Sequence, residues 1–142
     1  MVNPLKSIEE QLILHEGIRL KPYRCKAGKL TIGVGRNLED KGLSKQEALF
    51  LLRQDIAEFT DALQAHTWFL RLDQVRKKVL IDMAFNLGLA GLFGFKNMIT
   101  YLEIGDYERA SEEMVNSRWY GQVGDRGKRL VKMMVTGEDY KK

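Results

Sequence analysis

The spacing of apolar and polar residues changes period several times along the chain, and each change marks an element. From Ser7 the sequence reads Ser-Ile-Glu-Glu, a capping box in which a hydroxyl and a glutamate three residues on serve each other's backbone N–H groups at a helix start. Ile8, Leu12 and His15 then share one helical face, and Gly17 ends the helix, which leaves Glu16 in its last turn. Beyond it Pro22 cannot lie inside a helix. Lys26-Ala27-Gly28-Lys29 reads as a turn and Leu30-Thr31-Ile32-Gly33-Val34 as a strand, so a β-hairpin is predicted between Ile18 and Asn37. Cys25 lies before the turn and Thr31 after it, close enough to meet across the ladder.

A second capping box, Ser44 to Glu47, opens a long helix that ends near His66, with Ala48, Leu52, Ile56 (or Asp55), Phe59 and Leu63 as its buried stripe. Thr67 to Arg71 reads as a short link. Asp73 caps the next helix, Gln74 to Leu87, whose apolar residues fall on most sides, the mark of a central element. Gly88, Gly91 and Gly94 break the chain into a turn-like piece. Phe95 to Glu103 and Tyr107 to Asn116 predict two more helices, and Asp125 caps a last one, Arg126 to Val135, stopped by Gly137. The predicted class is α+β: a small N-terminal β-hairpin lobe (17–43), a linking helix (44–66) and a mostly helical C-terminal lobe (67–142) on which residues 1–16 pack, all in one domain.

Composition narrows the chemistry. The 142 residues are 44% hydrophobic and 30% charged, a globular rather than disordered balance. One cysteine and two histidines exclude an intramolecular disulfide and speak against a metal site, so neither metal nor cofactor is expected. The longest apolar run, Ala48 to Leu52, is far too short for a membrane span, and Glu9 and Glu10 stand where a signal peptide would be apolar. A cytoplasmic chain, let out only by another protein, is the expectation. The net charge of +4 suits an anionic partner such as nucleic acid, acidic lipid or an acidic wall polymer, and equally suits a soluble basic domain.

No Gly-x-Ser-x-Gly, Walker loop or His-Glu-x-x-His is present, and Gly33-x-Gly35 without further glycines is no nucleotide motif. What stands out is Glu16-Gly17 at a helix end, followed by Cys25 and Thr31 on the hairpin. A carboxyl packed where helix meets sheet can act as a general acid; the same residue also reads as an exposed helix-end glutamate.

His15-Glu16-Gly17-Ile18-Arg19-Leu20-Lys21-Pro22-Tyr23 and Leu30-Thr31-Ile32-Gly33-Val34-Gly35-Arg36 resemble the signature of the phage-type lysozymes. That family's pattern is a Glu, eight residues, an Asp or Cys, five residues and a Thr, and Glu16, Cys25 and Thr31 fit both spacings. The resemblance continues through Gln54-Asp55, Val79 to Gly88, Gly94-Phe95-Lys96-Asn97, Ser117-Arg118-Trp119-Tyr120 and Arg126-x-Lys128-Arg129, nearly the whole chain, with a shorter segment at Leu38 to Leu43. It implies a lysozyme-like fold and an endolysin that hydrolyses the β-1,4 bond between N-acetylmuramic acid and N-acetylglucosamine in bacterial peptidoglycan. Glu16 would be the general acid, with Arg19 orienting it, and Cys25 and Thr31 would position or activate the attacking water.

Many relatives hold aspartate where Cys25 stands; as thiolate Cys25 can act as base or nucleophile, as thiol it orients water only weakly, and as a small buried hydrophobe it does none of these. An inverting course would bring water in opposite Glu16, on the side of Cys25 and Thr31; the sequence leaves inverting and retaining courses both open. The resemblance also implies a charge pair between Arg36 and Asp55, substrate contacts from Phe85 and Asn86, and a lesser one from Asn37. Phe85 reads equally as core. The expected partner is peptidoglycan, with no nucleic acid and no membrane insertion, the protein being a monomer held in the host cytoplasm until a membrane-permeabilising protein releases it to the wall. The alternatives are a lytic transglycosylase, which cuts the same bond without water, and a catalytically weakened wall-binding module.

Overall fold

The computed structural model describes residues 4–141, and the α+β class holds: a small antiparallel sheet near the N-terminus is followed by helices. In chain order the elements are α1 (Pro4–Glu16), β1 (Arg19–Arg24), β2 (Leu30–Gly33), β3 (Arg36–Asn37), α2 (Lys45–Leu63), α3 (Thr67–Leu70), α4 (Gln74–Phe93), α5 (Lys96–Glu103), α6 (Tyr107–Val115), α7 (Arg118–Val123) and α8 (Asp125–Thr136). They group into two compact units that divide within α2, one over residues 1–50 and one over 51–142. Among the described residues no single helix is long and apolar enough to cross a membrane.

In the first unit α1 starts at Pro4, earlier than the box at Ser7, because proline's fixed φ suits the first helical position. The side chain of Ser7, the expected cap, lies outside the described residues. Gly17 ends α1 as expected, at φ +75°, with its N–H donating to Ile13 O at 2.7 Å. The sheet has three strands in the order β1-β2-β3, one more than the predicted hairpin. Arg19 pairs with Gly33 but Tyr23 with Thr31, so β1 carries an irregularity between them, over the stretch that holds Pro22, a residue with no N–H to give a ladder. The extra strand, β3, pairs Thr31 with Asn37 and Ile32 with Arg36. Thr31 thus lies on the central strand and is buried.

The second capping box forms as read. The Glu47 N–H donates to Ser44 Oγ at 3.1 Å and the Ser44 N–H to Glu47 Oε1 at 2.8 Å. Glu47 has a further partner. Arg36 donates from Nη1 to Glu47 Oε1 at 3.1 Å and from Nη2 to Glu47 Oε2, while Nη1 also reaches Gly42 O at 3.0 Å. The expected partner of Arg36 was Asp55, which stands eight residues further along α2, roughly 12 Å on at 1.5 Å per residue. Glu47, in the first turn beside β3, takes its place. The stripe expected along α2 is also only partly covered: Leu63 is buried and Phe59 half-buried, while Ala48, Leu52 and Ile56 are exposed. Helical period fixes which residues share a face, not how far along the helix a neighbour covers it.

The second unit is built on a core of aliphatic, aromatic and sulfur side chains, with Phe69, Leu80, Met83, Leu92, Met98 and Met114 fully buried. Asp73, Asp106 and Ser117 cap α4, α6 and α7 by accepting from the N–H groups of Arg76, Arg109 and Tyr120. Asp125 does not cap α8. Gly124 occupies the cap at φ +58°, and Asp125 enters the first turn, where its charge complements the helix dipole. The link Thr67 to Arg71 contains a helical turn, α3, that buries Trp68 and Phe69. α4 runs past Leu87, since a single residue, Gly88 at φ 78° and ψ 163°, absorbs a kink and the helix resumes. Arg76 fastens the two ends of this unit. It donates from Nε to Met134 O at 2.7 Å and from Nη2 to Val135 O at 3.0 Å, pairs with Asp73 at 2.8 Å, and lies 3.7 Å over the Tyr107 ring.

Two outcomes follow from this packing. Leu80→Ala should lose about 2–5 kcal/mol of unfolding free energy in urea, read by the fluorescence of buried Trp68 and Trp119, whereas Phe50→Ala, at a side chain 58% exposed, should stay within about 1 kcal/mol of the parent. The Glu47 carboxyl is held down to about 2 from 4.5, first by the Ser44 N–H and then by Arg36. A folded-state value below the unfolded one adds stability that is present above about pH 4.5 and lost as pH falls through about 2. Glu47→Gln should therefore melt below the parent at pH 7, with the gap closing as pH falls through that window. An unchanged gap at pH 2 would show that the carboxylate charge plays no part.

Candidate active site

Glu16 is the last residue of α1, and the release of the chain at Gly17 turns β1 away from it. Its side chain is exposed. The carboxyl rests against the connection between β2 and β3: a β-carbon at Gly35 would lie 2.6 Å from Glu16 Oε2 and 2.8 Å from Cδ. Only a glycine admits that approach, and Gly35 also adopts φ +62°. Arg19, three residues on, does not serve as the expected guide for Glu16. Its guanidinium stacks on Tyr23, 4.3 Å from the ring centroid, within β1.

Cys25 follows the last residue of β1 and starts the turn into β2. Its N–H donates to Lys29 O at 3.0 Å and its carbonyl accepts from Gly28 at 2.8 Å. The thiol is half-buried and free. Hydrogen bonds from the backbone of Lys29 and of Ala27 hold its pKa below the ordinary thiol value; desolvation opposes them, and the Thr31 side chain adds to them. Cys25 and Thr31 thus flank the same turn, and Lys29 O links them by accepting from both the Cys25 N–H and the Thr31 hydroxyl. Thr31 Oγ1 donates to Lys29 O at 2.8 Å. Thr31 is buried, Cys25 half-buried and Glu16 exposed, so the three candidate groups of this unit range from solvent into the sheet.

The remaining candidates are held by structural partners. Asn37 donates from Nδ2 to Asp40 Oδ2 at 3.1 Å and accepts from the Asp40 N–H at 3.0 Å, so both ends of its amide are engaged in the short connection to α2. Arg36 is engaged by Glu47, as described, and Asp55 is exposed on α2. In the second unit Phe85 is exposed and meets Phe59 edge-on, ring centroids 6.0 Å apart. Asn86 accepts from Trp119 Nε1 at 3.0 Å through Oδ1, which turns its amide nitrogen away from the indole. Two functional neighbours escaped the sequence reading. Glu47 was seen only as a cap, and its reach to Arg36 has no local signal. Gly35 was read with Gly33 only as falling short of a nucleotide motif; a second glycine two residues after the last residue of β2 was the available clue. Among the described residues no cluster of His, Cys, Asp or Glu could hold a metal ion.

Comparison with known proteins places the sequence in a family. Residues 14–134 match the family described as phage lysozyme. The chain is similar to the pre-baseplate central spike protein Gp5 of Enterobacteria phage T4, 30% identical over 95% of this chain but only 28% of the spike protein, so it spans under a third of that relative. It is similar to probable T4-type lysozyme 1 of Dictyostelium discoideum, 27% identical over 94% of this chain and 96% of the relative. It is also similar to an endolysin of Acyrthosiphon pisum secondary endosymbiont phage 1, 33% identical over 75% of this chain and 76% of the relative. With a family match over most of its length, carried by a stretch that includes Glu16, Cys25 and Thr31, the chain belongs to the phage lysozyme family.

Proposed function

We propose that the protein is an endolysin that hydrolyses the β-1,4 bond between N-acetylmuramic acid and N-acetylglucosamine in peptidoglycan, with Glu16 as general acid and Cys25 and Thr31 as the pair that receives the water. The observation that carries this reading is the turn that joins Cys25 to Thr31: a half-buried free thiol whose pKa the backbone of Lys29 and Ala27 lowers, and a buried hydroxyl bonded to the same Lys29 carbonyl as the Cys25 N–H, in the same unit as an exposed carboxyl. Glu16 gives its proton to the glycosidic oxygen as the bond to the muramic C1 breaks, leaving a free 4-hydroxyl on the glucosamine. Water adds to C1 and its proton passes to the Cys25 thiolate, with Thr31 fixing the water's orientation. Exchange with solvent returns the proton to Glu16. Cys25 thus does the work of a carboxylate base, a role toward which the backbone of Lys29 and Ala27 shifts it by lowering its pKa.

The substrate contacts belong to the same proposal. Phe85 offers an exposed aromatic face to a sugar ring, and Asn86, oriented by Trp119, offers amide hydrogens to an acetamido carbonyl. Asn37 is a weaker contact, since Asp40 already engages it. Peptidoglycan is the partner, the net charge of +4 drawing the protein to an acidic wall. The protein acts as a monomer and reaches the wall from the host cytoplasm through a lesion made by a second, membrane-permeabilising protein.

Mass spectrometry of purified peptidoglycan after digestion tests the reaction. The parent should release fragments with reducing muramic-acid ends, and Glu16→Gln should cut that release by roughly 10²–10⁴-fold, the usual worth of a general acid. Anhydro ends would make it a transglycosylase, and wall binding without fragments a binding module. Cys25→Asp should keep activity and lose sensitivity to iodoacetamide, while Cys25→Ala should lose most of its activity. Full activity in Cys25→Ala would make the thiol a bystander.

A further inference from the structure

A general acid must hold its proton within hydrogen-bonding reach of one oxygen, so something must fix the Glu16 carboxyl. No hydrogen bond or ion pair from the described residues does so. What meets the carboxyl is the turn glycine, Gly35, with a hypothetical β-carbon 2.6 Å from Oε2, 2.8 Å from Cδ and 3.1 Å from Cγ. Three successive atoms of the glutamate side chain lie along the bare face of one residue. A methyl group there would not displace backbone; it would push aside the end of a flexible side chain. The first thing lost on adding it is therefore the place of the carboxyl, not the fold of the turn.

We infer that Gly35 is a positioning residue for the reaction, its missing side chain forming the seat that sets the Glu16 carboxyl. This rests on the reading of Glu16 as the acid. It differs from a need for glycine on backbone grounds, and the sheet holds a control for that difference. Gly33, two residues earlier, has nearly the same left-handed backbone, φ +69° against +62°. Nothing among the described residues lies within 4 Å of a β-carbon built on Gly33. Alanine at either position meets the same backbone strain. Alanine at Gly35 alone also meets Glu16.

The experiment compares Gly35→Ala, Gly33→Ala and Glu16→Gln for thermal stability and for rate against concentration of soluble peptidoglycan fragments. The two alanine variants should lose similar Tm, within about 3 °C of each other. Gly33→Ala should keep kcat within about twofold, whereas Gly35→Ala should lose roughly 10–100-fold in kcat with KM little changed, the size expected of a catalytic group displaced by about 1 Å. Gly35→Asn brings the same β-carbon on a residue more tolerant of this backbone, and keeps the test open if the alanine variant folds poorly; it should lose kcat to the same degree. Equal activity losses in Gly33→Ala and Gly35→Ala, or a Gly35→Ala loss that falls on KM, would overturn the inference while an inactive Glu16→Gln left the acid in place. An active Glu16→Gln would overturn both together.

Discussion

The N-terminal unit depends on one carboxylate doing two jobs. Glu47 closes a capping box with Ser44, which is a local matter of satisfying orphan N–H groups at a helix start. It also takes both terminal nitrogens of Arg36, which lies on β3. The start of α2 and the edge of the sheet are thereby held by the same two oxygens. β3 pairs with β2 at Thr31, which is buried and whose hydroxyl donates to Lys29 O in the turn that follows Cys25. As a half-exposed ion pair the Coulomb term is small. Its value is geometric: the fork of Arg36 fits a carboxylate already oriented by the cap, so little side-chain freedom is left to lose on pairing.

Much of this was legible in the sequence, and what was legible was local. The caps at Ser44, Asp73 and the stops at Gly17 and Gly137 follow from backbone groups that need partners within one turn. The turn between Cys25 and Lys29 followed from its glycine and its place between two strands. The failures share a cause too. β3 has two residues and no pattern to read; α3 and α7 are single turns or little more, stabilised by the burial of Trp68, Phe69 and Trp119 rather than by propensity. Arg36 was assigned the wrong carboxylate because Glu47 and Asp55 carry the same charge on one helix, and only the position of β3 along α2 chooses between them. Asn37 read as a substrate contact because its engagement by Asp40, three residues on, belongs to a turn with no helical or strand period to announce it.

The candidate site illustrates two ways of placing a reactive group. Cys25 is placed by the backbone: its N–H donates to Lys29 O and its carbonyl accepts from Gly28, and the backbone of Lys29 and Ala27 in that turn favours the charged thiol. Glu16 is placed by shape, against a residue with no side chain. The first kind of placement changes a group's chemistry as well as its position. The second leaves the carboxyl in water and governs direction alone, which suits an acid that must meet a substrate arriving from outside.

The grip of Arg76 on the last turn of α8 bears on the order in which the chain assembles. The carbonyls it holds, at Met134 and Val135, come 58 and 59 residues later in the chain. At synthesis, Arg76 emerges long before the α8 carbonyls to which it donates, and before Tyr107, whose ring its guanidinium covers. The C-terminal unit therefore closes by a nonlocal contact made late, whereas the sheet and the start of α2 close through partners at most about fifteen residues apart. Loop-closure entropy favours the near pairings. The part of the molecule that bears Glu16, Cys25 and Thr31 can thus be in order first, with the larger helical unit as the slow step of maturation.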